Sequence, residues 1–270
     1  MKTITFIFLI GGLFIGAMPC GAGSDTNDVS SIREFDIKTI EDLGRSLYER
    51  DVYAARATDI LFKEVGQPAQ LKEEKIRGWI VREEETTVLV RFVRQIDNGF
   101  GPAYDITFTS PENGVLTRSS GTLSRDEYAQ FKARQLALKS IPKFYSRRYN
   151  TIVLPDVDGE GFLVYALAAT TNPDLVLIGG HYRMTVSPDG TSVEQVDRLF
   201  KSFLVLSKKN MPKGNEAAGF YASHLVSRTP VETHVFISLL HNQPLFIGTI
   251  DGEMWKIEKG AISSLGRVTD

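Results

Sequence analysis

Cysteine is almost absent from this chain, because Cys20 is the only one among 270 residues. A disulfide framework needs at least one pair of cysteines and is therefore excluded. Apolar runs long enough to span a bilayer, which takes about 20 residues, are absent as well. We therefore expect no transmembrane span beyond a removable leader, and we expect the fold to be held together by burial.

The sequence also lacks an excess of charge of either sign. Its 31 basic and 33 acidic side chains give a net charge of −2. General nucleic-acid binders usually carry a clear basic excess, so no nucleic-acid partner is expected.

Motifs of the common catalytic sites are missing too. The chain has no HExxH, no G-x-S-x-G, no P-loop and no GxGxxG. Its four histidines, His181, His224, His234 and His241, all lie in the second half and show no short metal-ligand spacing. The sequence therefore predicts no metal, no cofactor and no assignable catalytic residue.

An apolar run over residues 4–14, preceded by Lys2 and followed by small residues, is typical of a signal peptide. We predict cleavage after Ala22 and a periplasmic or secreted protein. Lipid anchoring at Cys20 is not expected, because Pro19 fits poorly just before a cleaved bond. Residues 23–270 then form a single domain with a net charge of −3, because only Lys2 is removed.

Two main helices are predicted in the first half. The first begins at Asp36 or Thr39, carries apolar residues at helical intervals, and ends before Gly66. The second has a capping box made by Ser124 and Glu127. Pro142 follows the second helix and ends it.

The remaining segments predict strands separated by turns. Before residue 160 these are residues 77–82, 86–94, 103–109, 115–118 and 150–155. A central three-stranded meander covers residues 161–170, 175–186 and 191–206. Residues 216–227 are ambiguous between strand and helix. Residues 233–240 predict another strand, and residues 245–258 a closing hairpin around Asp251-Gly252. Because βαβ alternation is absent, the fold class is α+β with a largely antiparallel sheet.

Several polar residues are candidates for binding. His181, Tyr182 and Arg183 follow a Gly-Gly pair, and Glu232 and His234 would share one face of a strand. Arg147 and Arg148 belong to a segment over residues 139–149 in which cations alternate with aromatics, and such segments bind anions or pack against the core. Two other features have simpler interpretations: Glu83 to Glu85 as a solvated turn, and Tyr48 and Tyr53 as packing at a helix edge.

Residues 161–170, 178–190 and 232–240 resemble a group of uncharacterised exported proteins of Gram-negative bacteria. The resemblance covers the C-terminal half and implies an envelope setting, without an activity. The leading hypothesis is an exported, non-enzymatic binding or accessory protein, of the inhibitor or immunity type or a factor of an envelope system. Its partner would be another envelope or secreted protein. The alternatives are a hydrolase with a site around His181, Arg183 and His234, and a small-ligand carrier.

Overall fold

The computed structural model describes residues 32–208 and 219–267, which form four helices and 14 strands. The predicted α+β class is confirmed, because the sheets are largely antiparallel and the two main helices lie in the first half. The signal peptide, its cleavage site and Cys20 lie outside the described residues. The single domain over residues 23–270 stays a prediction.

The first predicted helix is confirmed as α1 (Ile37–Glu64). Asp36 is its N-cap, since the carboxylate accepts a 2.9 Å hydrogen bond from the backbone N–H of Thr39. After α1 the chain turns at Gly66, whose φ of +140° favours glycine. A short helix, α2 (Pro68–Glu73), follows where the sequence predicted only a stop. Proline fits the first turn of a helix, and it therefore served here as a start signal.

The first sheet is a four-stranded antiparallel meander in the order β1-β2-β3-β4. Its strands are β1 (Ile76–Glu83), β2 (Val88–Ile96), β3 (Gly99–Ser110) and β4 (Asn113–Arg118). The strands predicted in this region are confirmed. In such a meander the β1–β2 and β3–β4 turns lie at the same end, and this end faces α1.

Helix α3 (Arg125–Lys139) packs against two sheets. Its predicted capping box is confirmed, since Ser124 and Glu127 exchange hydrogen bonds of 3.2 and 2.9 Å. Phe131 packs with buried residues of the first sheet, whereas Ala133 and Ala137 pack with the second sheet. The small alanines allow the close approach that joins these two layers.

The second sheet has the order β5-β6-β8-β9, with β5 (Arg148–Pro155), β6 (Phe162–Ala169), β8 (Tyr182–Val186) and β9 (Val193–Arg198). The prediction of one strand over residues 175–186 is wrong. Gly179 and Gly180 adopt φ of +96° and +77°, so the chain leaves the sheet there. Strand β7 (Leu175–Ile178) instead pairs with β10 (Leu204–Ser207) in a separate two-stranded sheet. The predicted strand over residues 191–206 is therefore also wrong, because it consists of β9 in the second sheet and β10 in this one.

The prediction of a strand over residues 233–240 is also wrong, because these residues form helix α4 (Glu232–His241). A nearly continuous apolar run fits a buried helix as well as a buried strand. The ambiguous segment is resolved as β11 (Phe220–His224), which is parallel to β12 (Leu245–Thr249), with α4 connecting the two. The predicted hairpin is confirmed by β12 and β13 (Glu253–Glu258), and β14 (Ala261–Arg267) completes this sheet.

The crossing of α1 and α4 depends on Gly44. A Cβ atom at this position would lie 2.4 Å from the Val235 Cβ and 2.8 Å from the Glu232 carbonyl oxygen. We expect Gly44→Val to lower the free energy of unfolding by about 1–3 kcal/mol, as other overpacked sites do. Urea denaturation measures this loss. Ser46→Val on the same helix is the control for the β-branched side chain, and equal destabilisation of the two variants would contradict the expected clash.

Candidate functional site

A groove with a volume of about 710 Å³ opens between the middle of α1, two turns of the first sheet and the end of α4. We call it the acidic groove. Its apolar and aromatic lining comes from Tyr48, Val52, Tyr53, Val88, Phe108 and Leu240. Sites for small molecules and peptide side chains usually combine such a lining with a few polar groups.

Helix periodicity and the meander together build the acidic groove. Tyr48 and Val52, four residues apart, lie on the same side of α1, and Tyr53 follows directly. The Tyr53 ring packs edge-on against Phe108 of β3, with ring centres 5.3 Å apart. This contact brings α1 to the end of the sheet where the β1–β2 and β3–β4 turns lie.

The charged lining is strongly unequal in sign. Five glutamates line the groove against two arginines: Glu49, Glu83, Glu84, Glu85 and Glu112, with Arg50 and Arg56. All five glutamates are exposed to solvent. Within the described residues, only Glu83 of these five forms an ion pair, so the other four carboxylates lack a cation in direct contact.

The pKa of Tyr53 is affected by several of these charges together. Partial burial raises the pKa of its hydroxyl, and the carboxylates of Glu49, Glu112 and Glu83 raise this pKa further, in that order. The three carboxylates come from α1, the β3–β4 turn and the end of β1. The negative potential therefore belongs to the groove as a whole and not to one turn of the chain.

Arg50 contacts the backbone of the sheets as well as the acidic groove. Its guanidinium donates to the carbonyl oxygens of Val81 at 3.1 Å and Val153 at 2.9 Å, and pairs with Glu83 at 3.0 Å. These contacts tie α1 to both large sheets. Burial lowers the pKa of Arg50, whereas Glu83 raises it. Arg56 is then the one groove cation without an ion-pair partner among the described residues.

The residues that the sequence singled out around position 183 lie in the interior. Arg183 is 1% exposed, and its guanidinium contacts Asp197 at 2.6 Å and Glu232 at 2.7 Å. It also donates to the backbone carbonyl of Arg33, just before α1. Tyr182 is buried too, and its hydroxyl donates to the Lys143 carbonyl at 3.0 Å. Both side chains join segments that are distant in the sequence.

The Arg183 cluster pairs one buried cation with two buried carboxylates. Glu232 is fully buried at the start of α4, and Asp197 is buried on β9. Burial raises the pKa of the neighbouring Tyr165 well above its usual value, and the Glu232 carboxylate raises it further. The ring of Phe35 covers the Arg183 guanidinium at 4.7 Å. The cluster thus fastens the entry of α1 to the second sheet and to α4.

Three histidines are buried in the same half of the chain: His181, His224 and His234. Nδ1 of His181 accepts from the Ala168 N–H at 3.0 Å, and Nδ1 of His234 accepts from the Val231 N–H at 3.1 Å. Burial lowers the pKa of His181 to about 4 and that of His234 well below its usual value. These imidazoles are therefore neutral acceptors in the folded protein.

His224 packs edge-on against His234, with ring centres 4.8 Å apart. Its Nε2 lies 2.8 Å from the Ser227 hydroxyl, which itself donates to the Thr229 carbonyl. The hydroxyl hydrogen is thus already used, so Nε2 of His224 is the donor. Burial lowers the pKa of His224 to about 4. The fourth histidine, His241, is partly buried against Phe220, and burial lowers its pKa to about 4 as well.

Arg147 and Arg148 lie on the segment that joins α3 to β5. Arg147 is exposed, and Arg148 is half-buried at the first position of β5. The structure thus brings Arg183, Glu232 and three of the four histidines into the interior, and it leaves Arg147 on the outside.

No group of three or more His, Cys, Asp or Glu side chains in residues 32–208 and 219–267 is arranged to hold a metal ion. In the same ranges, none of the helices combines the length and apolar character that a membrane crossing requires.

Comparison with known proteins gives no relative: no family model, no curated protein and no solved structure matches the chain. The resemblance of the C-terminal half to exported proteins stays a prediction.

Sequence reasoning missed the acidic groove although a signal for it was present. The sequence interpretation of Glu83 to Glu85 was limited to a solvated turn. The four predicted strands already implied that the first and third turns of the meander share one end of the sheet. The missing information was that Tyr48 and Tyr53 of α1 reach this end.

Proposed function

We propose that the protein is an exported, non-enzymatic binding protein that holds a basic peptide segment of another envelope or secreted protein in the acidic groove. The single observation that carries this proposal is the excess of carboxylates without a cation in direct contact on a groove with an aromatic and aliphatic lining. A role as an inhibitor, an immunity protein or an accessory factor fits such an interaction.

The chemistry of the partner follows from that of the groove. Lysine and arginine side chains would lie near Glu84, Glu85 and Glu112, because opposite charges accelerate encounter and fix orientation. An aliphatic residue between them would pack on Tyr53 and Val88, which stay half-buried without a ligand. A folded nucleic acid or an acidic peptide would be repelled.

The two alternative functions find less support in the geometry. A hydrolytic site around His181, Arg183 and His234 would require access for a substrate, yet these residues are 2%, 1% and 5% exposed. A small-ligand carrier would require room for its ligand. The cavity between α1, α3 and β5 measures about 20 Å³, which is room for about one water molecule, so a small ligand would have to bind in the acidic groove as well. The carboxylates of that groove favour a basic segment.

The direct test measures the binding of a fluorescein-labelled Lys-Leu-Lys-Leu-Lys peptide by fluorescence anisotropy at low ionic strength. We expect saturable binding that weakens steeply with salt. Glu84→Lys combined with Glu85→Lys should lower the affinity at least tenfold, because each substitution replaces an attraction by a repulsion. The thermal unfolding temperature should change little, since both side chains are exposed.

Glu73→Lys combined with Glu194→Lys is the matched control, because it changes the net charge equally at exposed positions outside the groove. Val88→Ser tests the apolar part of the site. If both charge-reversed proteins lose the same affinity for the peptide, the effect is one of net charge, and the groove is not the binding site. Binding of Glu-Leu-Glu-Leu-Glu with comparable affinity would also reject it.

A further inference from the structure

A second surface lies on the loop that leads from α3 into β5. Pro142, Lys143 and Phe144 are exposed in succession, and Phe144 is 53% exposed although it is large and apolar. Two hydrogen bonds to neighbouring segments fix the conformation of this loop. The Tyr182 hydroxyl donates to the Lys143 carbonyl at 3.0 Å, and the Ser146 hydroxyl donates to the Ala169 carbonyl at 2.6 Å.

Cations from two separate segments surround this loop. The Lys143 ammonium and the Arg198 guanidinium both lie over the Tyr145 ring, at 5.2 and 5.3 Å from its centre. Arg198 also donates to the Lys201 carbonyl at 3.1 Å, which brings the exposed Lys201 to the same surface. Stacking on an aromatic ring orients the two charges before any partner arrives.

We define this loop surface by Lys139, Lys143, Phe144, Arg147, Arg198 and Lys201. Residues 139–149 contain four basic side chains and no carboxylate. Within the described residues, none of the five cations of the loop surface forms an ion pair. Their attraction is therefore available to an anionic partner.

We propose that the loop surface docks on an anionic phospholipid bilayer, with Phe144 entering the interfacial region and the surrounding cations contacting the headgroups. An exposed aromatic residue flanked by lysine and arginine combines the two contributions that hold peripheral proteins to membranes. A bilayer fits better than an acidic peptide, because it offers anionic headgroups for the cations and an apolar layer beneath them for Phe144, whereas an acidic peptide supplies only the charge. This inference does not depend on the acidic groove.

The test is co-sedimentation of the exported form, residues 23–270, with vesicles of phosphatidylcholine that contain about 30% phosphatidylglycerol, whose anionic headgroups attract basic segments. We expect binding to these vesicles, no binding to pure phosphatidylcholine, and release at high salt. Lys143→Glu combined with Lys201→Glu should lower the partition coefficient at least tenfold. Phe144→Ser should lower it severalfold, and Phe144→Trp should show a blue-shifted emission with the anionic vesicles alone.

Lys63→Glu combined with Lys72→Glu is the charge control, and Val115→Ser, at another exposed apolar side chain, is the control for Phe144. The controls should bind as the unchanged protein does. Absence of vesicle binding would overturn the proposal, and so would equal losses in both charge-reversed proteins. An oligoglutamate peptide is the competing ligand. If it binds the protein in the absence of vesicles and also displaces the protein from vesicles, the surface belongs to an acidic peptide instead. Failure of the basic peptide to bind the acidic groove would not change the expected binding to anionic vesicles.

Discussion

Arg183→Met is expected to lower the free energy of unfolding by about 3–5 kcal/mol, because it leaves two buried carboxylates without their cation. Asp197 and Glu232 both contact the Arg183 guanidinium and are almost completely excluded from solvent. Methionine fills a similar volume, so the loss reflects uncompensated charge more than a cavity. Urea denaturation followed by circular dichroism measures it.

The matched control is Lys38→Met, which breaks an exposed ion pair with Asp42 on α1. Such pairs contribute about 0–1 kcal/mol, so this variant should unfold close to the unchanged protein. A second comparison separates charge from packing. Arg183→Met together with Asp197→Asn and Glu232→Gln should recover part of the loss, since no buried charge remains. If Arg183→Met is no more damaging than Lys38→Met, the cluster does not hold the fold in the way described.

Acidification from pH 8 to pH 4.5 is expected to destabilise the fold through its buried histidines. The pKa values of His181 and His224 are lowered to about 4, from about 6.5 in the unfolded chain. Their contribution to stability is therefore full above about pH 6.5 and is lost as the pH falls toward 4. Linkage gives a loss of about 2–3 kcal/mol for each of these residues by pH 4.5.

His224→Gln isolates one part of this effect, because the glutamine amide can still donate to Ser227. The variant is expected to be less stable than the unchanged protein at pH 8 and to lose about 2–3 kcal/mol less between pH 8 and 4.5. Asp51 acts in the opposite sense, since burial raises its pKa to about 7 and its contribution increases as the pH falls. Its effect cancels in the difference between the two proteins. Parallel stability profiles would contradict a neutral, buried His224.

Local signals predicted the two main helices and the first sheet well. Asp36 and Ser124 are N-caps whose hydrogen bonds form within three residues, so no distant contact is needed to place them. The hairpin around Asp251 is likewise specified by its own turn. These elements could be read from the chain because the interactions that define them are short in sequence.

The candidate sites were predictable only in part. The cations at Arg147 and Arg148 were noticed, but the contribution of Arg198 and Lys201 to the loop surface depends on how β9 and β10 return past Tyr145. The sequence marked the polar residues around Arg183 as candidate binding residues. Their partners Asp197 and Glu232 lie 14 and 49 residues away, and no sequence pattern announces such pairs.

By itself, the sequence determined the α+β class, the capped helices α1 and α3, the hairpins of the first sheet, and the absence of disulfides. Tertiary structure alone decided that residues 232–241 form a helix, because their apolar run suits either state until Val235 packs against Gly44 of α1. It also decided the bend at Gly179 and Gly180, which divides one apolar run between two sheets. Tertiary structure also decided which side chains are buried, and thus that the Arg183 cluster is internal whereas the groove and the loop surface are exposed. Burial depends on contacts between distant segments, and these contacts exist only in the folded chain.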